Sequence, residues 1–377
     1  MVTPEQWLVQ AQQLLAQARG QAMPVFIEGH GSKAFYGNAR PVQSLRLSTA
    51  DYSGIVNYDP TELVVVARAG TPIVVLEAAL AEQGQCLAFE PPRFGPDRSG
   101  TVGGMVATGL SGPARLSAGS CRDALLGMTV LNSSGECLRF GGTVMKNVAG
   151  YDMTRLHAGA LGTLGVILDV AIKVLPRPTS SLTVSVSMDQ ASALSQTSAW
   201  LAQPLPIAAT VWLPSGELIL RLAGARAAVE SAADRVEREM GSSRLRRWGE
   251  PEAISFWDSL RDQTHPFFSA PATGASLWRI SIAPTSPALS IKGGAKQPEP
   301  LIEWGGGQRW LWSDAEAAEV RQAAFAQGGH ATRFRATGPQ IDAFTPVSGI
   351  LHGIHSRLKA ELDPHGLLEP GRLYQGI

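Results

Sequence analysis

Apolar residues at Trp7, Leu8, Ala11, Leu14, Leu15 and Ala18 recur at helical spacing and form one stripe. Thr3 suits the N-cap of that helix, Pro4 its first position and Gln6 the third position of a capping box, while Gly20 is placed to stop it. Short apolar runs then predict strands over residues 24–28, 42–47 and 63–69. A second helix follows, with Thr71 as its cap, Pro72 in its first position and Gly84 as its stop. Residues 128–131 and 136–140 flank Ser133-Ser134-Gly135 and read as a hairpin, and the β-branched run 166–175 reads as a strand ended by Pro176.

The pattern changes at Pro176-Arg177-Pro178. Glycines cluster in loops before it; a plainer alternation of elements follows. Residues 182–188 alternate as a strand, 190–201 fit a helix, 207–213 and 217–222 are strands, and 225–240 form an amphipathic helix. This βαββα rhythm predicts a sheet with helices on one face. Residues 284–300, rich in Pro, Ser, Gly and Lys, read as an exposed loop, followed by helices over 314–327 and 347–362. Trp310 and Trp312 read as core residues. A chain of 377 residues exceeds one ordinary core. The expected division is a first domain over 1–178, a second over 179–335 and a C-terminal segment, 336–377, that returns to the first.

Composition narrows the function. Hydrophobic residues make up 44% and charged residues 17%, which describes a folded, core-rich chain. With 32 basic and 32 acidic residues there is no basic face for a phosphate backbone, so no nucleic-acid partner is expected, and weak self-repulsion suits life in a complex. Cys86, Cys121 and Cys137 have no metal-binding spacing and read as reduced, mostly buried thiols, which excludes an iron–sulfur or zinc site built from them. With no basic-then-apolar leader and no apolar run of spanning length, a cytoplasmic chain is expected, with any contact to the inner membrane made through partners.

Three segments carry candidate chemistry. The predicted strand 24–28 runs into Gly29-His30-Gly31-Ser32-Lys33, where glycines let backbone N–H groups approach an anion and Ser32 adds a hydroxyl. The same residues match G-x-G-x-x-A, with Asp51 about 20 residues on, as in a dinucleotide-binding βαβ unit. That unit needs a helix at once, and Gly37 and Pro41 leave no room for one; a plain tight turn is the other reading. The second segment runs from Glu90-Pro91-Pro92 through Gly100-Thr101-Val102-Gly103-Gly104 to Ala107-Thr108-Gly109-Leu110-Ser111-Gly112. So many small residues are costly inside a helix or strand, and make sense if the backbone wraps around a ligand such as a pyrophosphate. The third joins Lys146-Asn147-Val148-Ala149-Gly150-Tyr151-Asp152 to Gly159 and Gly162-Thr163-Leu164-Gly165-Val166-Ile167; Tyr151 and Asp152 also read as an ordinary helix start.

In this order, the segments 29–37, 91–122, 141–152, 159–178 and 363–374 resemble the vanillyl-alcohol oxidase / p-cresol methylhydroxylase flavoprotein superfamily, and within it the FAD-binding E subunits of bacterial glycolate oxidases. The resemblance implies an α+β protein: a two-subdomain FAD-binding domain of the p-cresol methylhydroxylase type plus a smaller α+β cap domain with an antiparallel sheet. It implies that Gly29, His30, Gly31, Ser32 and Lys33 form the first pyrophosphate loop. Pro91, Thr101, Val102, Gly103 and Gly104 would lie against the pyrophosphate and flavin. Ala107, Thr108, Ser111 and Gly112 would lie near the isoalloxazine, and Gly165, Val166 and Ile167 would hold the adenine side through their backbone. The tail Glu369-Pro370-Gly371-Arg372 would close the site.

Departures from the family matter as well. His30 stands where glycine is usual, Glu369 where asparagine is common, and Ser32 where some relatives have a histidine that bonds FAD covalently; non-covalent FAD is expected. Hydroxy-acid-oxidising relatives place His and Glu residues for a metal and a substrate carboxylate. Here His352 and His355 have no such companions, so no metal site is expected and no catalytic residue is assigned. The resemblance implies a subunit of a glycolate-oxidising complex with a second FAD-binding subunit and an iron–sulfur subunit. The alternatives are a stand-alone FAD-dependent 2-hydroxy-acid dehydrogenase and a structural subunit without flavin.

Overall fold

The computed structural model describes residues 2–95, 100–143, 151–241, 243–271, 274–293 and 299–377. The chain divides into two compact units. One comprises Met1–Leu110, Ser120–Pro176 and Pro339–Ile377; the other comprises Ser111–Gly119 and Arg177–Gly338.

The first unit is built on a five-stranded antiparallel sheet, in the order Ile55–Asp59, Val64–Arg68, Val166–Lys173, Leu125–Leu131, Cys137–Gly141. Val166–Lys173 sits in its centre with apolar residues on both faces, which is why it reads as an unbroken hydrophobic run. Ile167, Val170 and Ile172 meet Ile73, Leu76 and Leu80 of the helix Ile73–Glu82 and Val102, Met105 and Val106 of the helix Val102–Thr108. Each such side chain contributes about 1.5–3 kcal/mol by leaving water. Val166 and Leu168 meet Trp7, Ala11, Leu15 and Ala18 of the helix Pro4–Gln21. A parallel pair, Val25–Glu28 with Leu45–Ser48, lies beside this second core, and Val25 is bridged in parallel to Leu368 of the tail.

Several boundaries differ from expectation. The capping box of Thr3 and Gln6 is formed, but the first helix runs through Gly20 and is turned off at Ala22, in the left-handed conformation (φ 49°). Thr71 does not cap the second helix: its hydroxyl bonds the amide (2.9 Å) and carbonyl (3.1 Å) of Gly54, leaving Pro72 as the N-cap. The strand expected at 42–47 forms at Leu45–Ser48, because Val42 is wholly exposed. The edge strand Ile55–Asp59, largely exposed, had no apolar alternation to announce it. Of the cysteines only Cys121 is buried; Cys86 is half-buried and Cys137 exposed. Burial pushes the Cys121 thiol up to about 12.

The second unit holds an eight-stranded antiparallel sheet, ordered Leu245–Arg247, Ser180–Ser187, Glu217–Gly224, Ile207–Leu213, Leu301–Glu303, Gln308–Ser313, Ser276–Ser281, His330–Arg335. Helices Gln190–Leu201 and Arg226–Met240 pack on Val184, Leu220, Leu222 and Ile302. Helix Ala317–Phe325 packs on Trp278, Leu311 and Ala331. Asp189 caps Gln190–Leu201 by accepting from Ser192 N at 3.0 Å, and that helix has the bounds its spacing predicts. The second half of the sheet was not anticipated, because its strands carry Arg and Trp where alternation would show aliphatic residues. Trp310 is buried, as expected, and Trp312 half-buried. The mixed architecture with antiparallel sheets is the α+β fold expected. Among the described residues, no helix is long and apolar enough to cross a membrane.

Candidate flavin cleft of the first unit

The strand Val25–Glu28 delivers the loop from Gly29 directly to the start of the helix Val102–Thr108. The two are in contact: a Cβ on Gly29 would lie 2.3 Å from Thr101 Oγ1 and 2.9 Å from Thr101 Cγ2. Only glycine fits there. Gly31 (φ 70°) and Gly37 (φ 94°) turn the loop through the left-handed region. No helix follows Gly31, which removes the βαβ reading of the G-x-G-x-x-A match. Among the described residues nothing accepts from the amides of Gly29, Gly31 or Ser32. All three residues line one open cleft, so these donors are available to an anion.

The glycine-rich stretch after residue 100 is a helix where a wrapped loop was expected. Thr101 is its N-cap, with Oγ1 accepting from Gly104 N at 3.3 Å. The glycines serve close packing. A Cβ on Gly103 would sit 2.8 Å from the Cβ of Ala69, and the Gly103 amide donates to Ala69 O at 2.8 Å. Val102 N donates to Thr71 O at 2.9 Å. The amides of 102, 103 and 104 are therefore already satisfied, and this segment brings clearance, not donors. Gly104 leaves its side-chain space open, and with Ala107 it gives the cleft a low apolar wall.

A turn at 159–165 closes the cleft from the other side. Gly159 N donates to Val106 O (3.0 Å) and Leu161 N to Ala107 O (2.8 Å), so the turn is tied to the end of the helix. Leu161 (φ 52°) is strained, while glycine takes the other positive-φ positions, 162 (φ 81°) and 165 (φ 155°), without cost. With Gly29, Thr49, Ala69, Gly103 and Ile167 they border a second lobe.

The tail completes the wall. Val25 N donates to Leu367 O and Glu369 N to Val25 O, at 2.7 and 3.0 Å. Glu369 is buried in the left-handed conformation (φ 45°), a position that suits asparagine. Its carboxylate accepts from Ile27 N at 2.8 Å and pairs with Arg40. Arg372 caps the carbonyls of Ala34 (2.7 Å), Tyr36 (2.5 Å) and Asn38, and so holds the 34–38 loop from behind. Burial pulls the Arg372 guanidinium down to about 10, still charged at neutral pH. Lys33, buried with Nζ 5.5 Å from the Phe94 ring, adds a second cationic side chain to the cleft, and Glu28 on the same wall is paired with Arg46.

Twelve of the expected site residues, Gly29, His30, Gly31, Ser32, Lys33, Thr101, Gly103, Gly104, Ala107, Thr108, Gly165 and Ile167, border one lobe or the other. Thr108 turns its hydroxyl back to Gly104 O (2.8 Å). Pro91, Val102 and Val166 border neither. Val102 and Val166 are in the two cores of the sheet, and Pro91 is buried beside Arg93, which pairs with Glu77. Ser111 and Gly112 belong to the second unit, where Gly112 O accepts from Trp304 Nε1 at 3.0 Å. Residues 144–150 lie outside the described residues. Asp152 is an ordinary N-cap, accepting from Arg155 N at 3.3 Å, and Tyr151 is exposed. Arg40 and Leu161 were missed, since a lone arginine and a strained leucine leave no mark in sequence. His352 and His355 face Gln375 O (3.5 Å) and the Tyr374 ring (5.5 Å).

Three open amides beside a cationic wall, with the clearance left at Gly104, fit the diphosphate and ring of a flavin dinucleotide. Residues 4–141 match the FAD binding domain family. The chain is 45% identical over 358 residues, 95% of each chain, to the glycolate oxidase subunit GlcE of Escherichia coli K12. It is 29% identical to the glycolate oxidase subunit GlcD of Bacillus subtilis over 46% of this chain and 37% of that one. Among solved structures, p-cresol methylhydroxylase with substrate bound superposes with a TM-score of 0.71 at 15% identity, covering 99% of this chain and 87% of the other. The chain belongs to the family of the glycolate oxidase subunit GlcE, FAD-binding flavoproteins with the p-cresol methylhydroxylase-type fold.

Proposed function

We propose that this chain is the FAD-binding subunit of a complex that oxidises glycolate to glyoxylate, working beside a second FAD-binding subunit and an iron–sulfur subunit. The observation that carries the reading is the juxtaposition of Gly29 and Thr101, which sets the open amides of Gly29, Gly31 and Ser32 opposite the low wall of Gly104 and Ala107. In this reading Gly29, Gly31 and Ser32 donate to the diphosphate and Lys33 adds charge. Gly104 and Ala107 leave room for the ring, and Gly162, Gly165 and Ile167 border the remaining length of the dinucleotide. Bound FAD supplies the acceptor for a hydride; the protein supplies position and electrostatics. Arg372 and Glu369 hold the loop and strand that carry the donors, so the cofactor meets a preformed site. With only Cys86, Cys121 and Cys137 in the chain, and none spaced for a cluster, onward electron transfer falls to a partner.

The test has two parts. The chain purified alone shows visible flavin bands that are released on denaturation; colourless protein that takes up no FAD on titration refutes the cofactor assignment. Co-expressed with its complex, the chain supports dye reduction by glycolate, and a complex lacking it does not. Full activity without it removes the assignment to glycolate oxidation while leaving flavin binding intact.

A further inference from the structure

An acid stands where an anion site should have none. Glu28 ends the strand Val25–Glu28 and directly precedes the loop whose amides are open. Among the described residues, Ile27, Glu28, Gly29, Gly104, Ala107 and Leu161 border both lobes of the cleft, and Glu28 alone of these is charged. Its backbone is fixed from the next strand: the Glu28 carbonyl accepts from Thr49 N at 2.8 Å and from Thr49 Oγ1 at 3.2 Å.

The two carboxylate oxygens have different surroundings. Oε1 pairs with Arg46, which is itself 67% exposed. Oε2 is turned toward the loop, 4.0 Å from where a Cβ on Gly31 would sit, and among the described residues it accepts no hydrogen bond. The Glu28 side chain is 11% exposed, so water supplies little of what Oε2 lacks. An ionised carboxylate can only accept. A bare diphosphate offers it no donor at neutral pH and repels it. A ligand with hydroxyl groups beside its phosphates reverses the sign, because a hydroxyl bonded to a carboxylate makes a short, charge-assisted hydrogen bond. In a flavin dinucleotide each phosphate is esterified to such a hydroxylated chain, the ribityl on one side and the ribose on the other.

We infer that Glu28 selects the ligand of the cleft by its sugar: Oε2 accepts from one hydroxyl next to the diphosphate, while the amides of Gly29, Gly31 and Ser32 donate to the phosphate oxygens. The inference rests on the flavin reading of the cleft and adds a specificity-determining residue to it. One acceptor followed by three donors along a single stretch of backbone distinguishes the phosphate ester of a polyol from inorganic phosphate or diphosphate. Arg46 compensates part of the Glu28 charge, so the acid costs the phosphates less than it gains from the hydroxyl. Ribityl and ribose share this chemistry, and the experiment separates them.

Calorimetric titration of the flavin-free full chain with FAD tests it, beside FAD lacking the ribityl 4′-hydroxyl and FAD lacking the adenosine 3′-hydroxyl, the hydroxyls nearest the phosphates on either side. Wild type binds one of the two analogues at least about 10-fold more weakly than FAD, and that analogue identifies the sugar that meets Oε2. Glu28→Ala weakens FAD by a similar factor and no longer distinguishes FAD from that analogue. Glu28→Gln keeps an acceptor without the charge and falls between. Wild type that binds both analogues as tightly as FAD overturns the inference, and this arm needs no variant that has to fold. So does unchanged or tighter FAD binding by Glu28→Ala, its fold confirmed by circular dichroism. Inorganic diphosphate, used as a competitor and carrying no hydroxyl, binds Glu28→Ala no more weakly than wild type; a loss in step with that of FAD shows an acid that merely holds the loop, and overturns the inference. Wild-type protein that takes up no FAD refutes the flavin reading and the inference together, whereas FAD bound without regard to Glu28 or to either hydroxyl removes the inference alone.

Discussion

Arg40 and Glu369, 329 residues apart in sequence, are joined by two hydrogen bonds, from Nε to Oε2 at 3.1 Å and from Nη2 to Oε1 at 3.0 Å. Arg40 also donates to Ile27 O at 3.1 Å and lies 3.7 Å over the Phe26 ring, so the pair clamps the tail to the strand that delivers the cleft loop. Removing either partner leaves the other without its counter-charge. Arg40→Met or Glu369→Ala is expected to cost about 2–3 kcal/mol, below the value for a fully buried pair because Arg40 is 20% exposed. Glu369→Asn is milder, since asparagine tolerates the left-handed backbone and still accepts from Ile27 N. Urea midpoints of the three variants and of the double variant, in which the losses are less than additive, check this.

Gly29→Ala places a methyl group inside the van der Waals shell of Thr101 Oγ1 and Cγ2. The strand or the helix start must move, at about 1–3 kcal/mol. FAD affinity should fall at least 10-fold, because the displaced segment carries the open amides. Thr101→Ser on the Gly29→Ala background removes the Cγ2 contact and should recover part of the loss. Flavin fluorescence quenching during FAD titration is the measurement; an unchanged Kd in Gly29→Ala would separate this loop from the cofactor.

What the sequence revealed depended on the kind of signal. Val166–Lys173 and Gln190–Leu201 were legible because their apolar periods are strong and their ends carry Pro176 or Asp189. The glycine loops were legible as ligand contacts, but not their division of labour. Gly104 leaves space, while Gly29 exists for close approach to Thr101 and Gly103 for packing on Ala69, and glycine-richness alone does not separate these roles. The helix Val102–Thr108 was misread as loop because low intrinsic propensity is overridden by the burial of Val102, Met105 and Val106. Gln308–Ser313 was invisible for the opposite reason, since Arg309 and Trp310 are buried through hydrogen bonds that a hydrophobic pattern does not record.

His157 sets an acid limit on stability. It is 2% exposed, stacked on Phe140 at 5.7 Å, and among the described residues Nε2 has no hydrogen-bond partner. Burial holds its pKa at about 4, against 6.5 for a free imidazole. The unfolded chain therefore takes up a proton below pH 6.5 that the folded chain refuses. Stability is intact above pH 6.5, falls as pH drops toward 4, and loses about 3 kcal/mol from this group in total. His157→Phe keeps the stacking and removes the titration. The difference in urea midpoint between wild type and variant should grow in favour of the variant from pH 6.5 to 4; parallel profiles would show that the imidazole ionises as freely in the fold as outside it.

A single ammonium group joins the tail to the turn that borders the cleft. Lys359, 7% exposed on the helix Gly349–Leu362, donates to Thr163 O and Leu368 O, both at 2.6 Å, and to Asp363 Oδ2 at 2.7 Å. The Asp363 carboxylate in turn accepts from the amides of Leu367 (3.2 Å) and Leu368 (2.8 Å). Burial pulls the Lys359 pKa below its usual value, and the Asp363 charge opposes that shift. Lys359→Met strands a buried carboxylate and two carbonyls, and is expected to cost about 3–5 kcal/mol. Lys359→Arg should not restore stability, because a planar fork does not reproduce three converging bonds from a point charge. Adding Asp363→Asn to Lys359→Met recovers part of the loss by removing the unpaired charge while keeping an acceptor for Leu368 N. Because the turn and the tail both face the cleft, FAD affinity should fall with stability, even well below the melting temperature. Urea denaturation and FAD titration of the three variants test the coupling; weaker stability with unchanged FAD affinity would make Lys359 an anchor of the tail alone.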